Sequence, residues 1–201
     1  MATKQFIHIA KTGGTSVQKI LENNSEYLFY GHDLRLAEEK AKNIFFTIRD
    51  PIAKFTSAVL HVWFIQNKFE GNLDNYVENF QQTLDEYKSN FVKNKNSLLF
   101  YNKRKLSTLL VPISYWLGNL ENYKKNENKV FLVLETSCIG KYFSNLGYTT
   151  IHYRNHSRYK INFEKNISEK NLQFLYDFYD EDYKLYEYIK TRPYYVGNNN
   201  A

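Results

Sequence analysis

FIHIAKTGGTS, Phe6 to Ser16, is an apolar run that stops in a lysine, two glycines and three hydroxyl side chains. Phe6, Ile7 and Ile9 suit a buried strand, Gly13-Gly14 ends it, and Thr15-Ser16 can open a helix continuing through Val17, Ile20 and Leu21. A strand, a tight loop and a helix in that order make backbone N–H groups converge in front of a helix N-terminus, whose partial positive charge suits an anion. Lys11, Thr12, Thr15 and Ser16 add donors. An ordinary strand-to-helix turn has the same outline. The order of residues narrows the choice of anion. A Walker A loop reads G-x-x-x-x-G-K-[ST], with its lysine after the glycines. Here Lys11 precedes them and no GK[ST] occurs in the chain, which argues against an ATP or GTP loop of the usual type.

A second unit of the same kind follows. In NIFFTIRDP, Ile44 to Ile48 predicts a buried strand ended by Arg49-Asp50-Pro51. Proline at the first helical position and the spacing of Phe55, Val59, Val62 and Trp63 predict a long helix after it. Between the two units, EYLFYGHD predicts a short strand over Tyr27 to Tyr30, with Asp33 capping a helix over Leu34 to Ala41. Further on, residues from about Leu73 to Phe91 read as helix, and KNKNS around Lys95 as an exposed loop. KVFLVLE, Lys129 to Glu135, predicts a third strand. It leads into an amphipathic segment with Ile139, Tyr142, Phe143 and Leu146, closed by Gly147. Ser168 to Ile189 repeats apolar residues at helical spacing through Leu172, Leu175, Phe178, Tyr179 and Leu185. Strands alternating with helices predict an α/β fold: a single P-loop-like domain with a mostly parallel sheet flanked by helices, and ligands at the carboxyl ends of the strands. Lys11 and Arg49 both fall at such ends.

Composition bounds the function. The 201 residues suit one domain spanning 1–201, and 43% hydrophobic with 17% aromatic residues excludes global disorder. The 18 tyrosines and 15 phenylalanines predict an aromatic core. A net charge of +6 fits either an anionic partner or a solvated lysine surface. The densest basic cluster is only NKRK, Asn102 to Lys105, so nucleic acid is not the expected partner. Cys138 is the sole cysteine, which rules out an intrachain disulfide and suits a reducing compartment; a buried helical place is expected for it. The apolar stretch after Lys4 is broken by His8, too short for a signal-peptide core, and no apolar window is long enough to span a membrane. A soluble, cytoplasmic protein without a transmembrane segment is expected.

HIAKTGGTS together with IRDPIAKFTSA resembles the sulfotransferases that use 3′-phosphoadenosine-5′-phosphosulfate (PAPS), especially glycan O-sulfotransferases with a KTGGTS or KTAGTS loop. In that family the first motif holds the 5′-phosphosulfate, and the second, R-D-P-x-x-R-x-x-S, holds the 3′-phosphate through its first arginine and its serine. The resemblance implies that Lys11, Thr12, Gly13, Gly14, Thr15 and Ser16 bind the phosphosulfate, and that Arg49 and Ser57, which have the motif's separation, bind the 3′-phosphate. It extends more faintly to VLET at Val133 to Thr136, to YWLGN, and to HYRNHS at His152 to Ser157, which gives Arg154, Asn155 and Ser157 as candidates for a loop over the nucleotide. Two residues depart from the pattern. Ala10 stands where proline is common, and Lys54 replaces the second arginine, keeping the charge but losing the planar fork.

The implied activity is sulfuryl transfer from PAPS to an acceptor hydroxyl, most readily on a carbohydrate. Like phosphoryl transfer it needs an in-line nucleophile and stabilisation of the leaving phosphate. Lysine and loop N–H groups can supply that stabilisation without a metal, and none is expected. In the resembled enzymes the lysine matching Lys11 contacts the bridging oxygen and is steered by the serine matching Ser57. His32 is the expected base, since a histidine's ordinary pKa lies near neutrality and several family members place a histidine after the second strand; Asp33 can raise its basicity. His61, four residues past Ser57, and Glu135 are alternatives, and His8 reads as structural. A nucleotide or small-molecule kinase with an unusual loop, and a non-catalytic nucleotide- or polyanion-binding module, are the rival readings.

Overall fold

In the computed structural model, which describes residues 3–66, 74–82, 110–148 and 167–197, five strands form one all-parallel sheet. They are β1 (Lys4–Ile7), β2 (Tyr27–Phe29), β3 (Ile44–Ile48), β4 (Val130–Glu135) and β5 (Tyr195–Val196), in the spatial order β2-β1-β3-β4-β5. The central strand β3 is buried at all five positions, four apolar residues and Thr47, as suits a strand covered on both faces. The register sets Phe6 between Phe29 and Phe45, and Ile7 beside Phe46. Where β3 meets β4 the register shifts between Ile44 and Phe45, and Phe131 in the extra position is exposed.

Alternate side chains then meet different layers. Phe6, Phe45 and Leu134 pack under α1 (Gly14–Leu21) through Val17 and Leu21. On the opposite face Ile7, Ile44, Phe46, Ile48 and Val133 pack against α4 (Ser114–Leu117), α5 (Leu120–Asn126) and α8 (Asp180–Lys190), through Trp116, Leu117, Tyr123, Leu185 and Ile189. The α6 helix (Ile139–Asn145) joins the α1 side through Ile139 and Phe143. A third cluster joins Phe55, Ala58 and Val59 of α2 (Pro51–Gln66) to Val77 and Phe80 of the helical residues 74–82 (α3) and to Leu175 of α7 (Glu169–Phe178). Each fully buried large apolar side chain contributes roughly 1.5–3 kcal/mol by leaving water. The crossover after β1 leads outward to β2, whereas the chain after β3 leads to β4 on the other side. The strand order therefore reverses between β1 and β3, the point at which open α/β sheets form a ligand crevice outside the strand carboxyl ends.

The expected strands and helices are largely found where the periodicity put them, with three differences. Residues 34–41 form turns, not a helix. Leu34, Leu36 and Ala41 are all buried, Leu36 N donates to Trp116 O at 2.9 Å, and Lys129 Nζ reaches the carbonyls of Leu36 and Glu38 at 3.1 and 3.2 Å. Tertiary partners thus satisfy backbone groups that a helix would have paired internally. The C-terminal helical stretch breaks at Tyr179, whose hydroxyl donates to Leu110 O at 2.8 Å, so that α7 and α8 are separate helices. Cys138 is buried, but in the 3-10 turn before α6. Gly147 does close α6: its N–H bonds Ser144 O at 3.0 Å and Tyr148 N bonds Phe143 O at 3.0 Å, with Gly147 at φ 84°. Residues 83–91 of the expected helix and the loop around Lys95 lie outside the described residues. Among the described residues no helix is long and apolar enough to cross a membrane.

Candidate functional site at the strand carboxyl ends

The loop between β1 and α1 is fixed to its neighbours by three threonines. Thr12, fully buried, donates through Oγ1 to Ile9 O at 2.9 Å and meets Thr47 Oγ1 of β3 at 2.8 Å. Thr136 Oγ1, just past β4, lies within hydrogen-bonding reach of Thr12 O (2.7 Å) and Ile48 O (2.9 Å). The ends of β1, β3 and β4 are thereby tied together.

Both glycines are required by their surroundings. Gly13 has φ 91°, and a Cβ there would sit 2.5 Å from Ile139 Cδ1; a Cβ on Gly14 would enter the His8 ring at 2.2 Å. Lys11 also has a positive φ, 64°, which costs a non-glycine residue about 1 kcal/mol or more. Gly13 caps α1 with no side-chain hydrogen bond, and Ser16 N and Val17 N return to Gly13 O at 3.0 and 3.3 Å. The N–H groups of Gly14 and Thr15, at the start of α1, have no acceptor inside the helix. Lys11, Gly13 and Ser16 are half-buried, and Thr15 is exposed.

Arg49 leaves the end of β3, and Asp50 caps α2 by accepting the Ala53 N–H at Oδ1, 2.8 Å away, with Pro51 as the first helical residue. Ser57 and His61, one turn apart on α2, are both half-buried. The electrostatics link these groups. Burial, and secondly the charge of Arg49, lower the Lys11 pKa to about 8. Burial lowers that of Arg49, opposed by the negative charges of Asp50 and Glu135. Burial and then Lys11 lower that of His61. Lys11, Arg49 and His61 therefore share one electrostatic neighbourhood at the crevice. Among the described residues no hydrogen bond joins Ser57 to Lys11.

His32, exposed beyond β2, has Nδ1 2.6 Å from His8 O. A carbonyl can only accept, so Nδ1 carries the proton and, in the neutral ring, Nε2 holds the lone pair. Among the described residues no hydrogen bond joins His32 to Asp33. His8 is more than a filler of the first strand. Its ring lies against Gly14 and 4.3 Å from the His32 ring, so it bridges His32 to the loop. Burial, and secondly His32, lower the His8 pKa to about 4, which keeps it neutral.

Lys54, the departure from the arginine motif, is turned away from the crevice. It is fully buried, its Nζ donates to Val111 O at 2.6 Å, and burial lowers its pKa to about 8 against the partial support of Asp182. It is not a candidate for ligand contact. Glu135, buried at the end of β4, accepts hydroxyl hydrogen bonds at Oε2 from Tyr195 (2.9 Å) and Tyr186 (3.2 Å), and burial raises its pKa. Arg154, Asn155 and Ser157 lie outside the described residues. Sequence reasoning missed Thr47, Thr136 and the tyrosines; the one signal was a hydroxyl residue interrupting or ending an apolar strand run.

No protein-family model matches the chain, and no curated protein or solved structure matches it. Fold and site together define an α/β protein with a five-stranded all-parallel sheet flanked by helices. Its distinguishing residues gather where the strand order reverses.

Proposed function

We propose that the protein is a cytoplasmic sulfotransferase that moves the sulfuryl group of PAPS to an acceptor hydroxyl, on a carbohydrate. The observation that carries this reading is the pair of half-buried cations at the two strand ends flanking the switch point, Lys11 after β1 and Arg49 after β3. Two phosphate-bearing ends of one nucleotide would match them. The loop N–H groups, Thr15 and Ser16 would hold the phosphosulfate, and Arg49 and Ser57 the 3′-phosphate. The acceptor oxygen attacks sulfur in line as the bond from sulfur to the bridging oxygen breaks. The bond's electron pair leaves on the phosphate, beside Lys11, and the acceptor proton passes to a base. His32 is that base in this reading, because its Nε2 is the unprotonated nitrogen. His61, held neutral by burial and Lys11, is the second choice.

Thermal shifts test the proposal. 3′,5′-ADP should stabilise the protein by about 2.7 kcal/mol when a hundredfold above its dissociation constant, and 5′-AMP by far less at the same concentration. Equal shifts with both, or a larger one with ATP and magnesium, would favour the kinase. Tight 3′,5′-ADP binding without transfer of radiolabelled sulfate to any of a broad panel of glycans and phenols would favour a non-catalytic module.

A further inference from the structure

Arg49 is followed in the chain by Asp50, and the register of the sheet places Glu135 directly opposite Ile48, the residue before it. Both carboxylates act on it electrostatically. A guanidinium in the field of two carboxylates can fork onto one of them. Yet among the described residues no ion pair joins Arg49 to Asp50 or Glu135. Each carboxylate is engaged instead by tyrosine hydroxyls. Tyr183 donates its hydroxyl to Asp50 Oδ2 at 3.3 Å, and Tyr186 and Tyr195 donate theirs to Glu135 Oε2. Tyr183 and Tyr186 are one turn apart on α8, and Tyr195 comes from β5, so the last two elements of the sheet end supply all three donors. Burial first, and the neighbouring carboxylates after it, raise all three phenols above their ordinary range, so they remain protonated donors at neutral pH.

We propose that Tyr183, Tyr186 and Tyr195 are positioning residues that hold the Asp50 and Glu135 carboxylates off Arg49 and so keep its guanidinium available to an anionic group of the ligand. The inference rests on the reading of Arg49 as a phosphate contact. A hydroxyl donor stabilises carboxylate charge in place. Without it the carboxylate regains that interaction by swinging onto the nearest cation, and an incoming phosphate must then displace it.

The test is calorimetric titration of the full chain with 3′,5′-ADP, 5′-AMP and inorganic phosphate. The Tyr186→Phe/Tyr195→Phe variant should bind 3′,5′-ADP roughly tenfold more weakly, with 5′-AMP little changed, and each single Phe variant should lose less. Adding Glu135→Gln should restore the affinity, because a neutral amide does not compete for Arg49. A merely structural role for the tyrosines would weaken both nucleotides and would not be rescued. An unchanged affinity ratio in the double variant, or a loss that Glu135→Gln does not repair, overturns the proposal. Should the wild-type protein bind 3′,5′-ADP no better than 5′-AMP, the nucleotide reading fails and inorganic phosphate decides. Phosphate binding weakened by the two Phe changes and restored by Glu135→Gln sustains the tyrosine role, and phosphate binding that is absent or insensitive to them refutes it.

Discussion

Replacing Asp182 by alanine should unfold the protein more readily than any other single change on α8. Asp182 is 1% exposed and accepts two backbone N–H groups at the start of α4, from Ile113 at 2.6 Å and Ser114 at 2.9 Å. It is also the carboxylate whose charge supports the fully buried Lys54. Each orphaned buried N–H costs about 1–3 kcal/mol, and a buried ammonium deprived of its counter-charge adds to that, so a total of about 3–5 kcal/mol is expected. Asp182→Asn keeps one acceptor oxygen and should cost less. Lys54→Met leaves both N–H bonds to Asp182 intact, so although it strands that carboxylate it should cost less than Asp182→Ala. Urea unfolding at constant m reads these differences directly. The same pair gives a pH signature. Lys54 has a folded pKa of about 8 against an ordinary 10.5. Between those values the unfolded chain holds a proton that the folded chain has released, so this group makes stability rise with pH over that window. Below about pH 8 its cost is constant. Lys54→Met should abolish the rise. A cost below about 1 kcal/mol for Asp182→Ala, or a Lys54→Met variant as damaged as Asp182→Ala, would refute the reasoning.

Arg49→Ala should weaken 3′,5′-ADP binding by about 2–3 kcal/mol by calorimetry while the melting temperature without ligand hardly moves. His32→Ala should leave that affinity nearly unaltered and lower turnover by roughly 10²–10⁴-fold, whereas Lys11→Ala should damage both; full activity in His32→Ala with loss in His61→Ala would move the base. Binding of 3′,5′-ADP should weaken as pH rises through about 8, where Lys11 loses its charge, and titrations from pH 7 to 9.5 on Lys11→Arg should show no such fall. Gly13→Ala should destabilise by about 2 kcal/mol or more in thermal unfolding, from the positive φ and the clash with Ile139 together.

The sheet was legible because a covered parallel strand writes itself as a mainly apolar run, and Ile44–Ile48 does so with Thr47 as its one polar residue. Pro51 at the first helical position marked the start of α2 to the residue. The turns over 34–41 were not legible, since the backbone of Leu36 and Glu38 is bonded by Trp116 and Lys129, which lie far away in sequence. The site divided along the same line. Lys11, the glycines and Arg49 are local features of strand ends, and a sequence shows them. The turning of Lys54 into the interior depends on Val111 and Asp182, and the engagement of Glu135 on Tyr186 and Tyr195; only the folded chain brings those together.

What separates this crevice from an ordinary strand-to-helix turn is its electrostatic cost. A turn needs glycines, and it is satisfied by the three threonine bonds that tie the strand ends. It has no use for a lysine in the left-handed region, nor for placing that lysine within the field of a half-buried arginine, where each cation resists the other. Asp50 and Glu135 would neutralise the pair at once, but both are engaged by tyrosine hydroxyls. The arrangement holds positive charge apart from the negative charge nearest to it. Such a state is stabilised most by an anion arriving from outside, and two cations on separate strand ends favour an anion with two charged groups over one.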